Sequence, residues 1–500
     1  MKKRLQNFVF FFLAMFLMAS FSSLSAQRQL IVLAGDHHVG LLNEAISGDT
    51  TATGERVDTN TVYILERDEV YLLNGSISEE FPVSIAAEEG TGARPKLVPG
   101  VAELGGESDR PFRPKNDLTI KGLDVTSRDA LGLLRDRMIR VSADYVTIII
   151  EDCYLAWDGQ SIVRFDTDSC SVSITNTTMA NIGLTSDPSN GRIIDDRGNH
   201  MVSVTFKNNT IYNITRGAMR DDGGILGTFV FQNNTVFNTG TTLFQLGEVI
   251  DCRIENNIFY NYSFYADYVN PETGVSGYNV NADSLSQDWL DQGYTQKIRV
   301  RNNSWNVEDA YRNMPILGDS LEFDALFNPT VAAFVGANGD SATNLMDAAI
   351  AFTHPPVAQT DLVTKFWTLG QAHADIPEFD VTGEPYDFSY PSDAPQASAG
   401  LFGNGLGDPR WMPGTGTSLN SISVDNKLSI YPNPASDFIN LESNTQIQSV
   451  NIFDITGKSV LSLNRAHNLE MISVSSLRKG IYLVKVRFED GTFSSTKLMK

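Results

Sequence analysis

Val204-Thr205-Phe206-Lys207-Asn208-Asn209 and Phe229-Val230-Phe231-Gln232-Asn233-Asn234 share one pattern, a β-branched or aromatic run that stops at a pair of asparagines. The pattern recurs at Ile148-Ile149-Ile150-Glu151-Asp152-Cys153, Val172-Ser173-Ile174-Thr175-Asn176-Thr177, Arg253-Ile254-Glu255-Asn256-Asn257 and Val300-Arg301-Asn302-Asn303. Aligned on Asp152, Asn176, Asn208, Asn233 and Asn256, the steps are 24, 32, 25 and 23 residues, and the step to Asn302 is 46, which predicts an insertion from about Ser263 to Gln296. Each unit holds two or three strand-like runs and no helical periodicity, the signature of one turn of a parallel β-solenoid. Asparagine tolerates the left-handed backbone of such a turn, and its amide can stack on that of the next coil. A single coil cannot bury its apolar face, so coils must stack about 4.8 Å apart around a shared core. Short strands of a β-sandwich are the rival reading, but a sandwich gives no reason for asparagines in phase. Earlier coils run through Leu118-Thr119-Ile120-Lys121-Gly122, and the stack starts in the segment from Val62-Tyr63-Ile64-Leu65 to Val83-Ser84-Ile85-Ala86.

The 500-residue chain is 42% hydrophobic and 20% charged, which excludes wholesale disorder and leaves room for more than one folded unit. A basic start, Lys2-Lys3-Arg4, precedes the apolar run Phe8 to Ala19 and a Leu24-Ser25-Ala26 step, so residues 1–26 read as a secretory signal peptide. No later stretch approaches the roughly 20 apolar residues of a transmembrane helix, so no transmembrane segment is expected. Loss of the three leader charges takes the net from −22 to −25, which argues against nucleic acid as a partner. Cys153, Cys170 and Cys252 lack CxxC spacing and are expected to be inert. Zinc-binding HExxH, phosphate loops, nucleophile elbows and dinucleotide fingerprints do not occur. His37 and His38 read as solvated.

The aligned coils expose a second column ahead of each Asn step, made of Ile139-Arg140-Val141-Ser142, Val163-Arg164-Phe165-Asp166, Ile194-Asp195-Asp196-Arg197, Met219-Arg220-Asp221-Asp222 and Phe244-Gln245-Leu246-Gly247. Side chains alternate along a strand. One outward row is therefore Arg140, Arg164, Asp195, Arg220 and Gln245, and its neighbour is Ser142, Asp166, Arg197 and Asp222. Two readings follow: a ladder of surface ion pairs, or a polar groove for a sugar chain. Asp196 and Asp221 fall where adjacent coils carry Phe165 and Leu246, and unpaired acids do not sit in an apolar core. They must lie at a turn or share a cation.

At these residues the chain resembles the right-handed parallel β-helix proteins of the pectate-lyase-like superfamily, over about residues 28–412. The match is closest to secreted Gram-negative members that open with the pattern of Ala93-Arg94-Pro95-Lys96-Leu97-Val98-Pro99 and close with Leu406-Gly407-Asp408-Pro409-Arg410-Trp411. The resemblance implies the fold and leaves the reaction open, because the superfold hosts lyases, hydrolases, epimerases and adhesins. Hydrolysis would need two carboxylates about 5–9.5 Å apart, and the Gly-His-Gly and Arg-Ile-Lys segments of the hydrolases are missing. A lyase on uronate polysaccharide needs Arg or Ca²⁺ to neutralise the carboxylate and a base at C5. For that chemistry the candidates are Arg220, Arg197, Asp221 and Asp222 as catalytic residues, and Arg164, Arg192, Arg216 and Lys207 as substrate-binding residues. Asp195, Asp196 and Asp221 are the candidate Ca²⁺ ligands, with His200 as a possible base. A non-catalytic module that binds extracellular polysaccharide is the alternative.

From Met314 the coil pattern fades. Residues 27–312 are read as the β-helix, 313–402 as an irregular flank packed on it, and 403–424 as a linker. Residues 425–500 then carry alternating strands divided by turns at Gly457 and Gly480, a small antiparallel β-sandwich. The wording YPNPASDFINL, IFDITGKSV, LRKGIYLVKV and STKLMK resembles the C-terminal sorting domain of type IX secretion. That resemblance implies the type IX machinery as partner, a secreted or cell-surface location, and no part in chemistry for this domain.

Overall fold

The computed structural model describes residues 27–35, 38–105, 110–266, 277–316, 319–320, 325–414, 429–442, 447–454, 459–464, 471–488 and 493–500. The expected signal peptide, His37 and residues 415–424 of the expected linker lie outside them. The chain divides into two compact units at Thr415 and Gly416, and among the described residues no helix is long and apolar enough to cross a membrane.

The first unit is a parallel β-helix with three faces. Its first face runs from Gln29–Val32 through Thr147–Glu151, Cys170–Thr175, Met201–Lys207 and Ile225–Gln232 to Lys297–Arg301. The second face comprises Ile139–Val141, Ser161–Phe165, Arg192–Asp195, Gly217–Arg220, the start of Phe244–Glu255, and Val280–Asp283. The third is a ten-stranded sheet from Val70–Leu73 to Leu345–Met346. The first two faces form one fifteen-stranded sheet because Phe244–Glu255 belongs to both. Its Phe244 and Gln245 pair with the second face and Glu248 to Glu255 with the first, with Gly247 at φ 50° between them. The pairings between coils are parallel, for example Ile174 with Phe206 and Phe206 with Phe231, and among the described coil strands the register shifts only at Cys170/Ser171 and Gln245/Glu248.

The asparagine steps do the work their phase suggests. Asn176, Asn208 and Asn233 have φ of 53°, 58° and 55°, and each amide donates to the previous one, at 3.2 and 3.3 Å. One residue further on runs a ladder that is buried as far as Asn303: Asn209, Asn234, Asn257, Asn303 and Asn344 are joined at 3.0, 3.0, 2.9 and 3.1 Å. A third ladder, Asn181, Asn213, Asn238 and Asn261, lines the corner after the third face. Inside the coils Phe231, Phe259 and Trp305 stack in sequence, and Phe206 meets Phe231 at a tilt of 50°.

The long step before Asn302 contains the second-face strand Val280–Asp283 and a short helix, Gln287–Asp291. The flank also departs from an irregular chain, since it holds two ten-residue helices. Pro329–Asn338 packs against Val280–Asp283 and Lys297–Arg301. Asn328 accepts from Val331 N, Pro329 follows it, and Gly339 closes the helix at φ 71°, cap signals that scattered Gly and Asp masked in the sequence. Residues 403–414 are not free linker. Leu406 and Asp408 are fully buried because the Leu406-to-Trp411 motif pins the flank to the third face. Asp408 accepts from Thr210 Oγ1 at 2.7 Å and from Arg410 Nη2 at 2.6 Å, and Trp411 Nε1 donates to Thr210 Oγ1 at 2.6 Å. A second apolar core forms there, with Ala156, Ala180, Tyr212 and Phe237 under Tyr386, Phe388 and Leu406.

The second unit is an antiparallel pair of sheets. Ser429–Tyr431, Phe438–Glu442 and Met471–Ser473 form one. Ser459–Asn464, Ile447–Asp454, Ile481–Phe488 and Phe493–Met499 form the other. Ile439, Leu441, Val450, Ile452, Ile472 and Val484 bury between them, as alternation predicts.

Candidate functional site

On the second face the register brings Arg140, Arg164, Asp195, Arg220 and Gln245 into one row, as the alignment of coils requires. The neighbouring row compensates it. Asp166 accepts from Arg140 Nε at 2.5 Å and Arg164 Nε at 2.8 Å, and Asp222 accepts from Arg220 at 2.8 Å with Arg197 Nη1 at 3.6 Å. Burial raises Asp166, but the hydrogen bonds from Arg164 and Arg140 outweigh it and hold the carboxyl below the usual range.

Asp195 sits deeper, 1% exposed, with Arg192 Nη1 at 3.7 Å and Arg220 Nη1 at 3.9 Å. Both its oxygens lack a hydrogen-bond partner, as do Nε and Nη1 of Arg192. Burial pulls the Arg192 guanidinium below its ordinary value, against the pull of Asp195. Arg192 and Arg216 are buried and act as braces: Arg192 Nη2 donates to Asn190 Oδ1 at 2.7 Å, and Arg216 donates to Ser189 O at 3.0 Å and Gln245 Oε1 at 2.6 Å. Lys207 is not brought to this group. It ends a first-face strand, paired with Thr175 and Gln232.

Strand alternation splits the four acids. Asp195 and Asp222 face the arginines, whereas Asp196 and Asp221 turn inward and are 0% and 2% exposed. Each inward acid caps its own turn. Asp196 Oδ1 accepts from Gly198 N at 2.9 Å and Asp222 N at 3.3 Å, and Asp221 Oδ1 accepts from Gly223 N at 2.7 Å and Gly224 N at 2.9 Å. On each carboxyl the other oxygen, Oδ2, is buried and has no hydrogen-bond partner among the described residues. A side chain at position 247 would lie 2.5 Å from Asp221 Oδ2, so glycine there makes room for the pair. Burial, then the charge of Asp221, raises Asp196 well above the usual carboxylate value, and burial raises Asp221 to about 6. Burial thus biases both acids toward the protonated form, in which neither carries an unpaired buried charge.

The expected trio Asp195, Asp196 and Asp221 therefore does not converge. Among the described residues no three of His, Cys, Asp or Glu are grouped to hold a metal ion. Asp221, placed under the turn, does not reach solvent as a catalytic group would. His200 accepts from Ile225 N through Nδ1 at 3.0 Å, so the neutral ring carries its proton on Nε2 and offers no lone pair as a base. His38 contacts Glu44 Oε2 at 3.0 Å.

The sequence reading missed an aromatic group at the corner between second and first faces. Trp289, on the inserted helix, meets the edge of His200 at 6.1 Å and of Tyr294 at 5.6 Å, and Tyr294 is 43% exposed. The turn that carries His200 begins at Arg197, so this group borders the charged rows. Its one sequence signal was a Trp and a Tyr inside an otherwise polar insertion.

Residues 429–500 match the family model of the secretion system C-terminal sorting domain. The second unit is thus the sorting tail of type IX secretion, which indicates transport to the cell surface or outside. No curated protein matches the chain. Among solved structures, a PL6 family alginate lyase, AlyGC, aligns with a TM-score of 0.35 at 15% identity, over 61% of this chain and 40% of that one. The chain thus spans less than half the length of that lyase.

Proposed function

We propose that the exported β-helix binds extracellular acidic polysaccharide along its second face. The observation that carries this reading is the register row Arg140, Arg164, Asp195, Arg220, which sets guanidinium groups on three of four successive coils along the solenoid axis. Guanidinium forks match carboxylates in a bidentate way, so uronate groups can exchange with Asp166 and Asp222 as partners. Trp289 and Tyr294 at the edge of the rows offer faces for sugar rings. Binding is local, because the net charge of −22 repels a polyanion elsewhere.

Turnover as a calcium-assisted lyase is the second reading, and one observation favours it: two buried carboxyls, Asp196 and Asp221, adjoin Arg197 and Arg220 in the chain, and burial raises Asp221 to about 6. Burial of that pair ranks it below binding. The test uses the purified full chain with a panel of uronate polysaccharides, in Ca²⁺ or EDTA. Retention in affinity electrophoresis and ultraviolet absorbance of the unsaturated product are read together. The expected result is retention, lost in Arg164→Ala/Arg220→Ala, with no rise in absorbance. A rise abolished by that double variant would establish the lyase, and EDTA sensitivity would add the metal. Equal retention of wild type and variant would sink the assignment of this face.

A further inference from the structure

At the corner between the second and first faces, the turn of one coil bonds to the turn of the next. Asp144 Oδ1 accepts from Asp168 N at 3.0 Å, Asp168 Oδ1 from His200 N at 2.8 Å, and His200 Nδ1 from Ile225 N at 3.0 Å. Tyr145 stands in the first of these turns, between Ile139–Val141 and Thr147–Glu151, and its N donates to Asp168 O at 3.2 Å. The register of Thr147 with Ser171 makes Ser169 its counterpart one coil on.

Two features of Tyr145 are not explained by the stack. It is 79% exposed, more than any other large hydrophobic side chain among the described residues, and among them its hydroxyl has no hydrogen-bond partner and its ring no aromatic one. Its backbone also lies at φ 63°, with Ser169 at 60°, so the turn imposes the left-handed region on this position. That region is costly for a bulky side chain and easy for asparagine, which fills another corner of the coils at Asn176, Asn208 and Asn233. Nothing in the packing asks for an aromatic ring here. Asp144 and Asp168, exposed beside it, make no ion pair among the described residues. Each commits Oδ1 to a backbone N–H and keeps Oδ2 to accept from another donor.

We propose that Tyr145 is a platform for a neutral sugar residue, whose ring stacks on the phenol while its hydroxyls donate to Asp144 and Asp168. A pyranose carries an apolar C–H face and a rim of hydroxyl donors, which suit an aromatic ring and acceptor-only carboxylates. A uronate would meet those carboxylates as like charges. An apolar protein contact would strip water from them and return no donor. The site stands on exposed groups alone and does not rest on the reading given to the arginine rows.

The test is calorimetric titration of the full chain with xylo-, cello-, laminari- and mannohexaose, beside a hexauronate. At least one neutral hexasaccharide is expected to bind. Tyr145→Asn should weaken that binding about tenfold, the worth of a stacked ring, and leave hexauronate binding unchanged. Because asparagine adopts φ 63° more readily than tyrosine, Tyr145→Asn should leave the unfolding midpoint unchanged or raise it, so a loss of affinity cannot be put down to misfolding. Tyr145→Phe keeps the ring and should bind as wild type does. Asp168→Asn keeps the oxygen that accepts from His200 N but loses the charge, so it should weaken the same ligand. The proposal fails if no neutral hexasaccharide binds, if Tyr145→Asn binds as wild type does, or if it weakens the hexauronate equally. A dimer in sedimentation that Tyr145→Asn dissociates would give the ring to a second copy of the chain and overturn the proposal as well.

Discussion

The second and third faces of the solenoid are built from the same coils at the same spacing, yet they solve opposite problems. On the second face successive coils place charge above charge, and Asp166 and Asp222 balance the arginines sideways. On the third they place Ala156, Ala180, Tyr212 and Phe237 outward, and the flank covers them with Tyr386, Phe388 and Leu406. Stacking amplifies whatever a position carries, because each row repeats it about every 4.8 Å. A charged row must be neutralised within itself, and an apolar row must be covered.

The largest effect should come from uncovering the third face. Asp408 is fully buried, accepts from Thr210 and from both Nε and Nη2 of Arg410, and caps Arg410 N. Asp408→Ala leaves those donors behind and should cost about 3 kcal/mol. Hydrogen exchange should accelerate over residues 386–412 while the second-face strands stay protected. Equal acceleration on both faces would show that the flank is part of one cooperative unit and would remove the contrast.

A smaller effect marks the inner side of the second face. An ordinary aspartate titrates near 4, whereas burial raises Asp221 to about 6. The folded protein therefore keeps a proton that the unfolded chain releases, and stability from this pair is lost as pH rises from about 4 through about 6. Asp196→Asn retains the Oδ1 that accepts from Gly198 and Asp222, and carries no charge at any pH. Thermal or denaturant unfolding from pH 4 to 8 should show the variant gaining on wild type by roughly 1–3 kcal/mol. A constant difference across that range would mean that burial does not hold these carboxyls protonated.

How much of this was legible follows from what repeats. The parallel stack, the second-face row and the Asn176, Asn208, Asn233 ladder were all visible, because each is one residue type recurring at coil length. The buried ladder of Asn209, Asn234 and Asn257 was in plain view too, and only burial distinguishes it from its exposed neighbour. The fate of the four acids was half legible: alternation separates Asp195 and Asp222 from Asp196 and Asp221, but the bond that Asp196 accepts from Asp222 N of the next coil depends on how turns stack. Lys207 misled because its position relative to the arginines is set by which face its strand joins. The bond from Tyr212 to Glu384 on the flank could not be read at all. The two are 172 residues apart, and no period connects a flank turn to a coil.

The smallest change in stability should carry the sharpest functional sign. Asp166 bridges Arg140 and Arg164 where all three side chains are partly solvated, at 24%, 29% and 16% exposure, so Asp166→Asn should alter stability by less than about 1 kcal/mol. It also leaves two guanidinium groups, paired in register, without their anion. If the second face binds acidic glycan, Asp166→Asn should bind it more tightly than wild type, opposite in sign to Arg164→Ala, and added salt should shrink that gain because these charges are screened. A neutral hexasaccharide should not distinguish the variant from wild type. Should Asp166→Asn bind uronate no better than wild type at low salt, the row is a closed ladder of ion pairs that serves only the stack.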